Sequence, residues 1–326
     1  MSILTTVVGA YPKIPNRPRP AKLRTAIARY EQGEIGDAEL TAVQREVVRE
    51  VIDEQIDAGV DLITDGLIRW EDDVTPFARA FAGFSIDGLV RYFDTNTYYR
   101  QPVVEGPVAW TRPVVVEEWK YAAAVSDRPV KAVVTGPYTM ARLSLDRHYG
   151  RLEPLVLDLA EALHQELVAL QAAGADYLQV NEPAVLQHPE DLPLLERALE
   201  VLTADLQQEV MLYTWFGSVA AVYPRILDLP VAVLGIDFVH DPQNLEVVRR
   251  APFTKKLAYG IVDATNTRLE TVDEIVERIR AMVDHVPPDR LYVNPSAGLE
   301  YLPRETAQAK LRRMVEGVRR AREVLS

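Results

Sequence analysis

An eightfold recurrence limits the fold of this chain more than any other feature. Short apolar runs are each followed by a longer stretch with helical spacing. The runs are Leu4–Gly9, Leu62–Asp65, Lys131–Thr135, Tyr177–Asn181, Val210–Trp215, Val233–Asp237, Lys256–Val262 and Arg290–Asn294. Most are continuous rather than alternating, which is the pattern of strands buried on both faces beneath helices. Repeated βα units of this kind build parallel sheets, and eight of them close a barrel. The expected fold is therefore α/β, a (β/α)8 TIM barrel.

The helical stretches carry clear stripes. From Leu152, apolar residues recur at Leu155, Val156, Leu159, Leu163, Leu167 and Leu170. Gly174 should end that helix from a left-handed position just beyond it. A last helix after Pro303 runs through Leu311, Met314, Val318 and Leu325. Residues 71–128 fit no single βα unit. They are expected to form an insertion after strand two, over the barrel mouth, with Tyr92, Phe93, Tyr98, Tyr99 and Trp110. A chain of 326 residues suits one barrel with such an insertion. No low-complexity linker marks a second domain.

The chain has no cysteine. That excludes disulfides, thiolate nucleophiles and thiolate-bound metals. Its five histidines form no H-x-x-x-H or H-E-x-x-H pair, so no metal site is expected. A net charge of −12 argues against nucleic acid, whose binding needs cations for phosphates. No run approaches the roughly 18 apolar residues of a membrane span. The start lacks a basic leader before its apolar stretch, so a cytoplasmic location is expected. The charge is uneven. Residues 1–30 hold Lys13, Arg17, Arg19, Lys22, Arg24 and Arg29 and no acid, leaving the rest of the chain at −18. Such a segment is either a local anion site or a solvated Pro-rich loop.

In parallel barrels the strands' C-terminal ends build the site. Here those ends carry Lys13, then Asp65 and Arg69, Tyr138, Asn181 and Glu182, Tyr213 and Trp215, Asp237 and His240, Asp263, and Asn294. A ring of carboxylates and amides suits a polar small molecule. Asp65 and Asp263 also suit turn caps, and Asn181 and Asn294 could satisfy backbone groups. His240 is the histidine at a strand end, which makes it the candidate for proton transfer near neutral pH. Asp237 and Glu182 are the candidate acid–base partners. Tyr138, Tyr213 and Trp215 either stack on a planar ring or fill the barrel mouth.

These segments together resemble cobalamin-independent methionine synthase. The likeness is carried by VGAYPKIPNRPRP, YEQGEIG, DAGVDLITDGLIRWEDDV, RYFDTNTYY, TGPYT, QVNEPAV, YTWFG, DFVHD, GIVDATNTRLE and VNPSAGLEYLP, in family order. That family has an N-terminal barrel without metal and a C-terminal barrel with zinc, and archaeal-type members have a single barrel. YEQGEIG, RWEDDV, FDTNTYY and TWFG look closer to the N-terminal barrel, whereas DAGVDLITDG and VNPSAGL are common to both. The resemblance implies zinc ligands from an H-x-C pair after strand five, a Glu after strand six and a Cys after strand eight. Those positions here read Tyr213 and Trp215, Asp237, and Ala297. The acidic pair that the family uses for the homocysteine amino group corresponds to Leu67 and Asn181.

The resemblance further implies that the basic loop, through Lys22 and Arg24, helps hold a folate's glutamate tail. Three functions follow as expectations. One is a zinc-less methyl-transfer protein binding polyglutamylated methyl-folate, with zinc supplied by a separate catalytic barrel as partner. Another is a stand-alone enzyme using Asp237, His240 and Glu182 on a small carboxylated substrate. The third is a non-catalytic ligand-binding barrel. No tightly bound cofactor is expected in any of them.

Overall fold

The computed structural model describes residues 3–17 and 21–325. Arg19 of the basic segment lies outside the described residues. In chain order the strands are β1 (Leu4–Thr5), β2 (Ala82–Arg91), β3 (Tyr98–Ala109), β4 (Ala132–Thr135) and β5 (Leu145–Asp146). They continue with β6 (Tyr177–Asn181), β7 (Glu209–Tyr213), β8 (Val233–Asp237), β9 (Lys256–Val262) and β10 (Leu291–Pro295). The helices are α1 (Lys22–Glu31), α2 (Asp37–Ala58), α3 (Thr75–Ala80), α4 (Val116–Val125) and α5 (Pro137–Leu143). Then come α6 (Leu152–Ala172), α7 (Leu192–Leu202), α8 (Asn244–Val248), α9 (Val272–Val283) and α10 (Arg304–Leu325). The chain folds as α/β with parallel strands and covering helices, in two compact units.

The first unit comprises Met1–Arg69, Glu118–Val130 and Ile236–Ser326. Here β10 lies between β1 and β9, all parallel, with Leu4 opposite Tyr292 and Leu291 opposite Leu257. The expected strand Leu62–Asp65 is reduced to single bridges, Leu62 to Thr6 and Ile63 to Val130. Leu62 and Ile63 donate their amides to Thr5 O and Pro129 O (3.1 Å each), but the backbone groups of Thr64 go elsewhere. The fully buried Gln55 amide donates to Thr64 O (2.9 Å) and accepts from Thr64 N–H (3.2 Å). Gly66 and Leu67 then turn the chain through left-handed conformations, φ 72° and 52°. At Gly66 a Cβ would stand 2.7 Å from Val51 and 3.0 Å from Tyr11, so only glycine fits. α10 buries Leu311, Met314 and Val318 of the anticipated stripe, and α9 opens on a Thr271–Glu274 capping box.

The second unit comprises Trp70–Glu117 and Lys131–Gly235. Its parallel strands run β4, β6, β7 and the start of β8, and one row reads Thr135, Asn181, Tyr213, Gly235. α6 buries the six apolar residues picked out from sequence, each contributing about 1.5–3 kcal/mol, and Gly174 follows it at φ 97°. Within residues 71–128, β2 and β3 form a long antiparallel hairpin. The chain leaving the hairpin is fastened by the fully buried Glu166. Its carboxylate accepts from Trp110 Nε1 (2.8 Å) and from the Val114 and Val115 amides (2.9 and 2.8 Å).

Candidate active site

In the first unit, Asp237 ends β8 with its side chain fully buried. One oxygen, Oδ1, accepts the amides of Val239 (2.8 Å) and His240 (3.1 Å), folding the chain back over the carboxylate. The other, Oδ2, lies 2.6 Å from His240 Nδ1. The imidazole keeps 28% of its surface exposed. Although burial alone would lower its pKa, the hydrogen bond and charge of Asp237 raise it. Nε2 faces Thr265 Oγ1 at 3.2 Å, and that hydroxyl donates to Asp263 Oδ1 at 2.9 Å. Asp263 caps the next turn as well, accepting Thr265 N–H (2.8 Å) and Asn266 N–H (3.1 Å). Gly260 allows this crowding, because a Cβ there would stand 2.8 Å from Ile236 O and 3.2 Å from the Ser296 Cα.

Asn294, on β10 of the same unit, donates through Nδ2 to Pro295 O (2.7 Å), satisfying a backbone group. Its buried Oδ1 has no hydrogen-bond partner among the described residues. At the strand-two end, Asp65 accepts Leu67 N–H (3.0 Å). Burial pushes its carboxyl up to about 6, with Glu118 adding to the rise and Lys13 opposing it. Arg69 pairs with Glu118 and donates to Gln44 (3.1 Å). Lys22 lies on the exposed face of α1 and pairs with Glu46 (3.0 Å) and Glu50 (2.6 Å) of α2. Arg24 is exposed on the same helix. The structure thus joins Asp237 and His240. Lys22 sits in an acidic neighbourhood of its own protein.

In the second unit, Glu182 is fully buried after β6. It accepts Tyr138 N–H (2.9 Å), Thr139 N–H (2.7 Å) and the Thr139 hydroxyl (2.7 Å). A Cβ at Gly136 would fall 2.2 Å from its Oε1, so the glycine admits the carboxylate to the start of α5. Burial raises the carboxyl to about 7 despite these three donors. Tyr138 is buried, donates its hydroxyl to Asp191 (2.7 Å), and lies beneath the Arg142 guanidinium at 5.4 Å. Asn181 Oδ1 accepts from Gln179 Nε2 (2.7 Å). The ring of Tyr213 covers the Lys131 amine at 4.6 Å, and a Cβ on Gly235 would collide with that ring at 2.6 Å. Trp215 is 5% exposed, and its Nε1 has no hydrogen-bond partner among the described residues.

Three groups escaped the sequence reading. Lys131 opens one of the expected strands with no sign of a special role, yet it is 1% exposed and its pKa is driven well down by burial. The buried pair Lys310–Glu270 (2.9 Å) left no signal, because neither residue stands at a strand end. Thr265 was one residue among several in its loop; its spacing after Asp263, which suits an Asx turn, was the available clue. Among the described residues no three histidine or acidic side chains converge as a metal-ligand set. No helix there is long and apolar enough to cross a membrane.

Parallel α/β proteins with polar groups gathered at strand C-terminal ends are small-molecule binding folds. This chain belongs to the cobalamin-independent methionine synthase family. The family model "Cobalamin-independent synthase, Catalytic domain" matches residues 3–320. The similarity to the N-terminal barrel noted in four segments thus lies within a chain-long match to the catalytic domain. The methionine synthase of Saccharolobus solfataricus is 33% identical over 323 residues, covering 98% of this chain and 95% of that protein. That of Sulfurisphaera tokodaii is also 33% identical, covering 98% and 93%. The structure of a B12-independent methionine synthase from Shewanella sp. W3-18-1 shares the fold. Its TM-score is 0.85 and its identity 23%, with coverage of 100% of this chain and 99% of that one.

Proposed function

We propose that this chain binds a polyglutamylated methyl-folate and takes part in methyl transfer without a zinc site of its own. The observation carrying this reading is the chemistry at the family's ligand positions. Tyr213, Trp215 and Ala297 offer neither imidazole nor thiolate, and all three are buried. The remaining position, Asp237, spends its oxygens on two amides and an imidazole. These residues do not fit zinc, which takes four N, S or O donors in tetrahedral array. Thiol activation by this chain alone is therefore not expected, and the zinc would belong to a separate catalytic barrel. In this reading the eight strand segments form one barrel with 71–128 inserted.

Within this reading His240 is the acid. A folate nitrogen departs as a neutral amine only if it gains a proton, and an imidazolium held by a buried carboxylate is suited to give one. A second reading draws on the same Asp237–His240 pair: acid–base chemistry on another small carboxylated substrate. Titration of the full chain with methyl-folate separates the two. Micromolar binding supports the first, and no binding at millimolar ligand refutes it. Metal analysis after dialysis should find far less than one zinc per chain. Methionine should form from homocysteine only when a zinc-bearing barrel is added. A full zinc equivalent, or turnover by the chain alone, would overturn the zinc-free reading.

A further inference from the structure

Beyond His240 the hydrogen-bond path continues to the surface. The Thr265 hydroxyl has one hydrogen, and its geometry gives that hydrogen to Asp263 Oδ1 at 2.9 Å. Its oxygen is then left to accept from His240 Nε2 at 3.2 Å. Nδ1, at 2.6 Å from Asp237 Oδ2, must be a donor as well, because the carboxylate can only accept. The chain of contacts therefore describes an imidazolium between two aspartates, one bonded directly and one through a hydroxyl. Asp237 is 1% exposed and Thr265 is exposed, so the path leads from the interior outward.

The loop carrying this path is fixed by Glu270, Ser296 and Lys310. Glu270 Oε1 accepts Asp263 N–H at 2.8 Å, and Ser296 Oγ accepts Ala264 N–H at 3.1 Å. Lys310 Nζ bonds both Glu270 oxygens (3.1 and 2.9 Å) and Arg268 O (2.6 Å), with the pair 0% and 2% exposed. A buried ion pair is costly unless thoroughly hydrogen-bonded, and this one is. Burial works against ionisation of Asp263, but hydrogen bonds from Thr265 and the charges of Lys310 and His240 hold its carboxyl below the usual range.

We propose that Thr265 and Asp263 form the proton exit of His240. The inference rests on the acid role given to His240 above. As Nε2 releases its proton to Thr265 Oγ1, the hydroxyl hydrogen passes on. It goes to Asp263 Oδ1, or to a basic ligand atom that has taken that oxygen's place. The imidazole loses one proton and keeps Nδ1–H, the acceptor gains one, and Thr265 ends unchanged. Thr265 is thus a positioning residue that acts through His240, and Lys310–Glu270 holds it in line.

The test uses the full chain with labelled histidine and follows the His240 imidazole by NMR. Thr265→Val removes the hydroxyl at nearly constant shape, and Thr265→Ser keeps it. Asp263→Asn should lower the imidazole's proton affinity about tenfold when Thr265 is present, and at most about twofold in the Thr265→Val background. Thr265→Ser should behave as wild type, and unfolding midpoints verify that each variant folds. In single-turnover methyl transfer with a zinc-bearing barrel, Thr265→Val should slow the step about tenfold at unchanged methyl-folate affinity, and Thr265→Ser should restore it. Equal effects of Asp263→Asn in both backgrounds, or a serine variant as impaired as the valine variant, would overturn the relay. If wild type binds no methyl-folate, the proposed function fails, and the imidazole measurements still decide the relay.

Discussion

Asp237 and Glu182 are both buried carboxylates at strand C-terminal ends, one in each unit, and they do opposite things. Glu182 spends its oxygens on the Tyr138 amide, the Thr139 amide and the Thr139 hydroxyl, all buried and all at the start of α5. Asp237 spends one oxygen on amides and the other on an imidazole that reaches the surface. A carboxylate whose donors are all buried holds shape. A carboxylate that holds a partly exposed base can pass charge to something else. Burial and position in the sheet do not separate the two; the identity of the last hydrogen-bond donor does.

The comparison predicts the largest stability effect at Glu182. Glu182→Ala leaves three buried donors unpaired, at about 1–3 kcal/mol each, so a loss of about 3 kcal/mol or more is expected. Gly136→Ala should cost a similar amount by clash. Denaturant midpoints measure both, and a change within 1 kcal/mol would remove the clamp reading. The carboxyl is also raised from 4.5 to about 7. The folded state therefore binds the proton more tightly than the unfolded chain, so this group's contribution is greatest below pH 4.5. It declines as pH rises towards 7, by about 3 kcal/mol in total. Glu182→Gln should flatten that slope.

Comparable in size is the effect at the buried pair that steadies the loop after β9. Lys310→Met strands a buried carboxylate and should cost about 3–5 kcal/mol. If the loop can reorganise, so that hydrogen exchange at Asp263 N–H quickens without global loss, the pair is a local latch rather than a core contact.

Asp237→Asn should be milder, about 1–2 kcal/mol, and confined to low pH. The His240 pKa is raised in the folded state, so its stabilisation is full below the unfolded value near 6.5. It disappears as pH passes the folded value. Comparing melting at pH 6 and pH 9 checks this. An equal loss at both would mean that Asp237 acts as Glu182 does.

The smallest stability effect is expected at Lys22 and Arg24. Exposed pairs contribute little, so the double alanine variant should stay within about 0.5 kcal/mol of wild type. Its ligand effect is the sharper measurement. A polyglutamate tail should lose more affinity than a monoglutamate, and less so at high salt. Equal losses would make this segment a solvated helix start that serves Glu46 and Glu50.

Period alone located the runs that became β6, β8 and β9 with their observed bounds, and it located α6 with its buried stripe and terminal glycine. Hydrophobic spacing is a local property, and these elements bury what their spacing shows. Leu62–Asp65 looked equally strand-like, but the Gln55 amide, held in place by the packing of α2, captured the backbone groups of Thr64. The absence of cysteine is composition, so the sequence settled it by itself. Which strand-end carboxylate faces a base and which faces backbone amides is different. Asp237 and Glu182 each follow a buried strand, and either could have capped a turn. Tertiary structure chose, because the donor that meets each oxygen comes from packing: His240 folds back onto its own strand end, whereas α5 is brought to Glu182 by a neighbouring strand, with Gly136 leaving room.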